Sequence, residues 1–154
     1  MKGTSEARQI LEEFVLNSCT ESFGISHQVP FIEFRKDNVG DVTLSFDAPI
    51  CIIPDNDLKA LNLPKEEYEL LCFQKVNLQR VVKIELQDNN DLLLHFANGR
   101  ALFVEGAPAD RSVVEPWQFS NGEGTKSEYY VFVVALHNGG AAIWDNRKKD
   151  EASS

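Results

Sequence analysis

The stretch that decides the fold is DLLLHFANGRALFVEG, residues 91–106. Every second residue from Leu92 to Phe96 is apolar, which is the period that puts side chains on one face of a β-strand. The dipeptide Asn98-Gly99 then favours a tight hairpin turn, because both residues tolerate a positive φ angle. RALFVEG predicts a second strand that runs back along the first.

The segment before this hairpin predicts a third strand. VVKIELQ, at residues 81–87, places Val82, Ile84 and Leu86 on one face and polar residues opposite, and the polar turn QDNND follows it. Residues 81–106 are therefore predicted to form a three-stranded antiparallel meander.

A similar pattern occurs earlier in the chain, as DVTLSFDAPICIIPD at residues 41–55, preceded by VPFIEFR. The first copy, residues 29–54, matches the second by position, and the matching pairs are Asp41 and Asp91, Val42 and Leu92, Leu44 and Leu94, and Phe46 and Phe96. Because one meander alone cannot bury its apolar face, we predict a repeated unit whose copies pack face to face or join into one sheet. The alternative is that unrelated meanders share this alternation.

The remaining segments complete a single α+β domain of mostly antiparallel strands. Apolar residues at helical spacing predict an N-terminal helix over 4–20, and a proline followed by acidic residues predicts a helical insert over 55–77. Strands rich in β-branched and aromatic residues are predicted within 113–145, where Pro116 indicates an edge strand or a bulge. We expect the tail, residues 146–154, to be frayed.

The chain has 24 acidic and 15 basic residues, which gives a formal net charge of −9. This charge disfavours nucleic acid and anionic membrane as partners and favours a basic protein; the alternative is that it serves solubility alone. No apolar run is long enough to span a bilayer, and the N-terminal segment lacks the apolar block of a signal peptide. The three cysteines form no C-x-x-C pair. We therefore predict a cytoplasmic protein with reduced thiols.

No pattern in the sequence indicates catalysis or metal binding. His27, His95 and His137 have no metal-ligand spacing, and neither a nucleophile elbow nor a phosphate-binding loop occurs. Pairs of acidic residues fall at predicted turns, where Asp is common for local reasons. We predict no catalytic residue, no metal, no cofactor and no enzymatic activity.

The segment that best suggests a function is EGAPADRSVVEPWQFSNGEG, residues 105–124. It combines a tryptophan with four carboxylates, a composition suited to docking a basic protein. The predicted partner-binding residues are Glu105, Asp110, Glu115, Trp117 and Glu123. For Trp117 the alternative is a place in the core, because large aromatic side chains dominate cores.

The order of these motifs resembles a group of small bacterial β-rich domains of unassigned function. Their pattern is L-x-F-x-[ND]-G, then E-x-W, then a Gly-Gly strand with a tryptophan, and the matching residues are Leu94, Phe96, Asn98, Gly99, Glu115, Trp117, Gly139, Gly140 and Trp144. Such domains also resemble immunity proteins of contact-dependent and polymorphic toxin systems, which are small, often acidic proteins that block one cognate toxin. The resemblance implies no catalytic residue. The long N-terminal helix, the helical insert and Pro116 depart from the pattern.

These observations support three hypotheses. The leading one is a non-enzymatic protein-binding module, an immunity protein that occludes the active site of a basic toxin such as a nuclease domain. The second is a small-ligand-binding protein or enzyme with a cleft between the two meanders. The third is a homo-oligomer that associates through an edge strand. The sequence leaves the identity of the partner and the oligomeric state open.

Overall fold

The computed structural model of this protein describes residues 2–122 and 129–147. Within these ranges the chain has the predicted α+β fold with mostly antiparallel strands. The helices are α1 (Lys2–Phe14), α2 (Asn56–Lys59) and α3 (Lys65–Val76). The strands are β1 (Cys19–Ser26), β2 (Val29–Lys36), β3 (Gly40–Phe46), β4 (Ile50–Ile53), β5 (Val81–Leu86), β6 (Leu92–Phe96), β7 (Ala101–Val104), β8 (Trp117–Ser120), β9 (Val131–Ala135) and β10 (Ala141–Asp145).

The strands form two antiparallel sheets. The large sheet has the order β1-β2-β3-β8-β9-β10, and the small sheet has the order β4-β7-β6-β5. The alternation in the sequence puts one apolar face of each sheet into a single shared core. The largest fully buried side chains are Trp117, Phe34, Phe46, Phe73 and Phe119.

The predicted meander of residues 81–106 is confirmed as β5, β6 and β7 of the small sheet. The turn between β6 and β7 needs a positive φ at Gly99, where φ is +85°. A hydrogen bond of 2.9 Å from Phe96 N to Arg100 O closes this turn. The Asn-Gly pair therefore folds the chain back as predicted.

The two ends of the segment 91–106 lie against each other. Gly106 N donates a hydrogen bond to Asp91 Oδ1 at 2.7 Å. A Cβ atom at Gly106 would overlap the carbonyl oxygen of Asn89. Glycine is therefore required here because two backbone segments approach closely.

The first predicted copy, residues 29–54, is not a meander, because its strands divide between the two sheets. β2 pairs with β3 in the large sheet, whereas β4 pairs with β7 in the small sheet. The linker after β3 lacks the Asn-Gly turn of the second copy. Instead, the amides of Asp47 and Ala48 both donate to Pro116 O at 3.0 Å, and the chain crosses to the other sheet. The prediction of two equivalent meanders is therefore wrong.

The N-terminal helix is shorter than the predicted range of 4–20, because α1 ends at Phe14 and β1 follows it. The sequence gives little signal for β1, since the polar residue Thr20 takes an inward position in this strand. Its hydroxyl donates to Val76 O at 2.5 Å and accepts from Gln79 N at 3.1 Å. Because hydrogen bonds satisfy this buried polar side chain, β1 lacks the alternation of apolar residues by which a strand is predicted from sequence.

The predicted helical insert, residues 55–77, is confirmed as α2 and α3 between β4 and β5. α3 packs on β4, β1 and β2, whereas α1 packs on β10 and β5, so each of these helices contacts both sheets. The sheets are also joined directly, because Val81 N donates to Ser18 O at 2.8 Å. None of the helices in the described part of the chain has the length and apolar character needed to cross a membrane.

The strand after Pro116 is not at an edge, because β8 lies between β3 and β9. The register of β8 with β3 begins at Trp117, opposite Phe46. Pro116 lies just before this register, so its missing amide interrupts no ladder bond. β8, β9 and β10 are the predicted C-terminal strands of residues 113–145.

Residues 146 and 147, at the start of the predicted frayed tail, are held by contacts with the rest of the fold. The guanidinium of Arg147 donates to Glu13 Oε2 at 2.6 Å and to Asp145 Oδ1 at 3.0 Å. It also lies over the ring of Phe14, 5.0 Å from the ring centroid. These contacts fix Arg147 against α1, and the rest of the predicted tail lies outside the described residues.

Candidate functional site

The hairpin that joins β1 and β2 ends in a strained two-residue turn, His27-Gln28. The last cross-strand pair is Ser26 with Val29, and φ is +51° at His27 and +68° at Gln28. A positive φ at both central residues is typical of a type I′ turn, which usually carries Asn and Gly. A residue with a longer side chain, such as Gln28, adopts this conformation only when the surrounding structure maintains it.

Contacts on both faces hold this hairpin in place. On the inner face, the ring of Phe23 packs against the ring of Phe73 in α3, with centroids 5.9 Å apart. On the outer face, Phe31 lies opposite Ser45, which in turn lies opposite Gln118 in β8. The hairpin is therefore packed on α3 at its inner face and continues the large sheet through β3 and β8.

An open groove of about 380 Å³ lies on the outer face of the large sheet, beside the hairpin tip. We call it the outer groove, and its lining includes His27, Phe31, Ser45, Asp47, Glu115 and Gln118. The carboxylate of Glu115 accepts a hydrogen bond from Gln118 Nε2 at 2.9 Å. Asp47 and Glu115 give this groove two negative charges beside an aromatic side chain.

A second pocket, of about 330 Å³, lies on the opposite face of the hairpin tip, against α3. We call it the helix pocket, and it is lined by Ile25, Gln28, Pro30, Lys65, Glu66 and Glu69. Glu69 is only 5% exposed. Burial raises the pKa of its carboxyl group, while Lys65 lowers it and Glu66 raises it further. The helix pocket therefore contains a buried acid.

The structure brings only Glu115, among the predicted partner-binding residues, to these two pockets. Glu105 is half-buried just after β7, and its amide donates to Pro49 O at 3.3 Å. Asp110 is exposed and accepts from Ser112 N at 2.9 Å and from Ser112 Oγ at 2.6 Å. The hydroxyl of Ser112 is the main cause that lowers the pKa of Asp110. Glu123 lies outside the described residues.

The structure places Trp117 in the core and not on the surface. Its side chain is 0% exposed, and its Nε1 donates to Asn90 O at 3.0 Å. This location corrects the prediction of a partner-binding anchor, because a fully buried indole offers no area to a partner. The core position is the alternative that the sequence left open.

Other charged residues form ion pairs that join elements of the fold. Asp57 accepts from Arg100 Nη2 at 3.1 Å and lies 3.0 Å from Lys75 Nζ, and these two partners lower the pKa of Asp57 to about 2. His95 Nε2 lies 2.7 Å from Glu85 Oε2 across β5 and β6. The Asp57 cluster joins α2 to α3 and to the β6–β7 turn, and the His95–Glu85 pair joins β6 to β5. We therefore assign both a structural role.

The cysteines show no disulfide, and they differ in exposure. Cys19 is exposed, Cys51 is half-buried and Cys72 is buried. Burial raises the pKa of Cys72 to about 11, so its thiol stays protonated and unreactive at neutral pH. Among the described residues, no group of three or more His, Cys, Asp and Glu side chains has an arrangement that could hold a metal ion.

Four of the carboxylates near the hairpin tip divide between the two pockets. Asp47 and Glu115 come from the large sheet, whereas Glu66 and Glu69 come from α3. Only Glu115 is among the residues predicted from the sequence. The spacing of Glu66 and Glu69 puts both on one helical face, but their neighbours across the pocket come from a strand that the sequence does not predict. No family model, curated protein or solved structure matches this chain.

Proposed function

We propose that this protein is a protein-binding module that binds and blocks a basic partner, most concretely as an immunity protein against a bacterial toxin. The observation that carries the proposal is the set of four carboxylates in two pockets around the β1–β2 tip, which are Asp47, Glu115, Glu66 and Glu69. These four residues place part of the acidic charge of the chain, which has a formal net charge of −9, around one hairpin tip.

Electrostatics favours a basic partner at this tip. Among the described residues that line the two pockets, Lys65 is the only lysine or arginine. Surfaces of one charge sign attract partners of the opposite sign and can raise the association rate by about 10- to 1000-fold at low salt. A toxin that acts on nucleic acid carries the required basic surface around its active site. Covering that surface would block the toxin by occlusion.

The hairpin tip also suits docking because it is strained and yet well supported. The turn at His27 and Gln28 carries positive φ at two residues with large side chains, and the surrounding contacts must maintain it. A preformed surface loses less conformational entropy on binding than a flexible loop does. The resemblance to immunity proteins in the sequence supports the same function.

The proposal is tested by affinity capture of the tagged protein from its native cells at low and high salt, with the bound proteins identified by mass spectrometry. The expected result is one basic protein captured near stoichiometry at low salt and lost at high salt. Capture of no basic protein at either salt concentration would contradict the proposal. The purified partner would then allow a direct assay of whether binding blocks its activity.

A second candidate is a small-ligand-binding protein or enzyme. The predicted cleft between the meanders is filled, since Phe34, Phe46 and Phe96 are buried in the shared core. The outer groove favours this candidate instead, because its volume is in the range of ligand sites and it combines His27 with Asp47. A thermal-shift screen of metabolites, repeated with the His27→Ala variant, distinguishes the protein-binding module from the small-ligand-binding protein. A ligand that stabilises the unmodified protein but not His27→Ala would favour the second candidate.

A further inference from the structure

We propose that the helix pocket receives one lysine or arginine side chain of the basic partner, with Glu69 as the residue that pairs with its charge. The inference rests on the proposed function for the source of that side chain, and it deepens that function by naming the group that is recognised. The carrying observation is Glu69, an acidic residue that is only 5% exposed, lines an open pocket and has no hydrogen-bond or ion-pair partner among the described residues.

Glu69 is unusual because buried carboxylates in proteins are nearly always paired. It is 5% exposed, and within residues 2–122 and 129–147 no hydrogen bond or ion pair satisfies its carboxylate. The carboxylate itself reaches the open space of the pocket, where a counter-charge from outside the chain can pair with it. Lys65 lies one helical turn away and favours the charged form, but it makes no ion pair with Glu69 in the described structure. Lys65 therefore lines the pocket without pairing with Glu69.

The walls of the helix pocket suit a long cationic side chain. Ile25 and Pro30, opposite each other at the end of the β1–β2 hairpin, supply an apolar wall. Lysine and arginine have an aliphatic stem that packs on such a wall and a charged end that reaches beyond it. Glu69 and Glu66 then receive the charged end, and the side-chain amide of Gln28 offers a further acceptor at the rim.

Other occupants fit the pocket less well. An anion would face two carboxylates, Glu66 and Glu69, so it is repelled. A metal ion would find too few ligands, because no group of three His, Cys, Asp or Glu residues within the described residues could hold one. A neutral apolar side chain would leave the carboxylate of Glu69 unpaired. A single cationic side chain satisfies both the charge and the apolar wall.

The test is an NMR titration of the full-length ¹⁵N-labelled protein with three peptides: acetyl-Gly-Lys-Gly-amide, acetyl-Gly-Arg-Gly-amide and the uncharged acetyl-Gly-norleucine-Gly-amide. We expect saturable shifts of backbone amides in residues 25–29 and 65–70 with the lysine or the arginine peptide. The norleucine peptide has a similar stem without the charge and should produce no such shifts. Equal shifts with all three peptides, or charged-peptide shifts only outside these two segments, would overturn the inference.

Two variants make the test specific to one carboxylate. Glu69→Gln keeps the shape of the side chain and should weaken binding of the charged peptides about 30-fold or more, as removing one charge of a desolvated pair does. Glu67→Gln removes an equal charge from the same helical turn, at an exposed residue outside the pocket, and should leave the affinity unchanged. Equal affinities of Glu69→Gln and the unmodified protein would overturn the inference. The amide spectrum of each variant reports whether it is folded.

The outcomes separate this inference from the proposed function. If the cells supply a basic partner that Glu69→Gln binds as tightly as the unmodified protein does, the inference fails while the proposed function stands. If the peptides bind in a Glu69-dependent way but the cells supply no basic partner, the proposed function fails while recognition of a cationic side chain stands.

Discussion

At the residue scale, Asn90 holds the two sheets together. Its side chain is 0% exposed, and its Nδ2 donates to Leu136 O at 2.8 Å and to Gly140 O at 2.7 Å. Its own carbonyl oxygen accepts from Trp117 Nε1. Asn90 also has a φ of +73°, a conformation that Asn tolerates better than most residues do. One residue in the β5–β6 turn thus satisfies polar groups of the large sheet.

Asn90→Ala should lower the free energy of unfolding by about 3 kcal/mol, because it removes two buried hydrogen bonds to the β9–β10 turn and places alanine, which tolerates positive φ poorly, at this position. Asn90→Gly, which tolerates the positive φ but loses the same hydrogen bonds, should cost about 1 kcal/mol less. Urea unfolding of both variants measures these values. A change within about 0.5 kcal/mol, the range of an ordinary surface substitution, would contradict this role for Asn90→Ala.

Glu69 makes stability depend on pH in a defined direction. Burial raises the pKa of its carboxyl group in the folded protein above its ordinary value of 4.5. The folded state therefore binds a proton more tightly than the unfolded state does, so this group disfavours folding as the pH rises through 4.5 and above. Glu69→Gln should be more stable than the unmodified protein at pH 7, and the difference should shrink towards pH 4, when both are compared by urea unfolding. A variant less stable at pH 7 would contradict this account.

At the element scale, the β1–β2 hairpin keeps a turn sequence that does not suit its geometry. His27 and Gln28 both have positive φ, although type I′ turns favour Asn and Gly. The packing of Phe23 on Phe73 holds one face of the hairpin. This turn sequence therefore lowers the stability of the hairpin relative to an Asn-Gly turn.

Gln28→Gly should therefore raise the free energy of unfolding by about 1 kcal/mol, because glycine relieves the strain at positive φ. Gln28→Ala provides the control, since it shortens the side chain but keeps a Cβ atom at the same φ, and should bring no gain. Thermal and urea unfolding measure both. Equal stabilisation by Ala and Gly would show that the side chain beyond Cβ, and not backbone strain, is responsible.

Local sequence patterns predict most strands, but they do not predict which sheet a strand joins. The alternation from Leu92 to Phe96 and the Asn-Gly turn at 98–99 define a meander because its contacts are local in sequence. β4 has an equally clear apolar pattern, yet it pairs with β7 rather than with its neighbour β3. That choice depends on the whole core and on Pro116 as acceptor for the β3–β4 linker. Whether the two similar segments arose by duplication stays a prediction.

At the scale of the whole molecule, the sheets share a core that α1 and α3 cover at the sides. The candidate site surrounds the tip of the β1–β2 hairpin, with the helix pocket against α3 and the outer groove on the opposite face. The overall charge predicts a basic partner, but it does not locate the surface. Glu115 is predictable because it lies near an aromatic residue in sequence, although Trp117 itself is buried. Asp47, Glu66 and Glu69 are not predictable, because tertiary packing alone brings three separate elements to one hairpin tip.

The measurement that tests the central claim most directly is affinity capture from the native cells with three forms of the protein: unmodified, Asp47→Asn/Glu115→Gln, and Glu12→Gln/Glu67→Gln. Both double variants remove the same charge, but Glu12 and Glu67 are exposed residues outside the two pockets. We predict that the unmodified protein and the Glu12/Glu67 variant capture the same basic protein near stoichiometry, and that the Asp47/Glu115 variant loses most of it. Equal capture by all three forms, or no basic protein with any of them, would contradict the claim that this tip binds a basic partner.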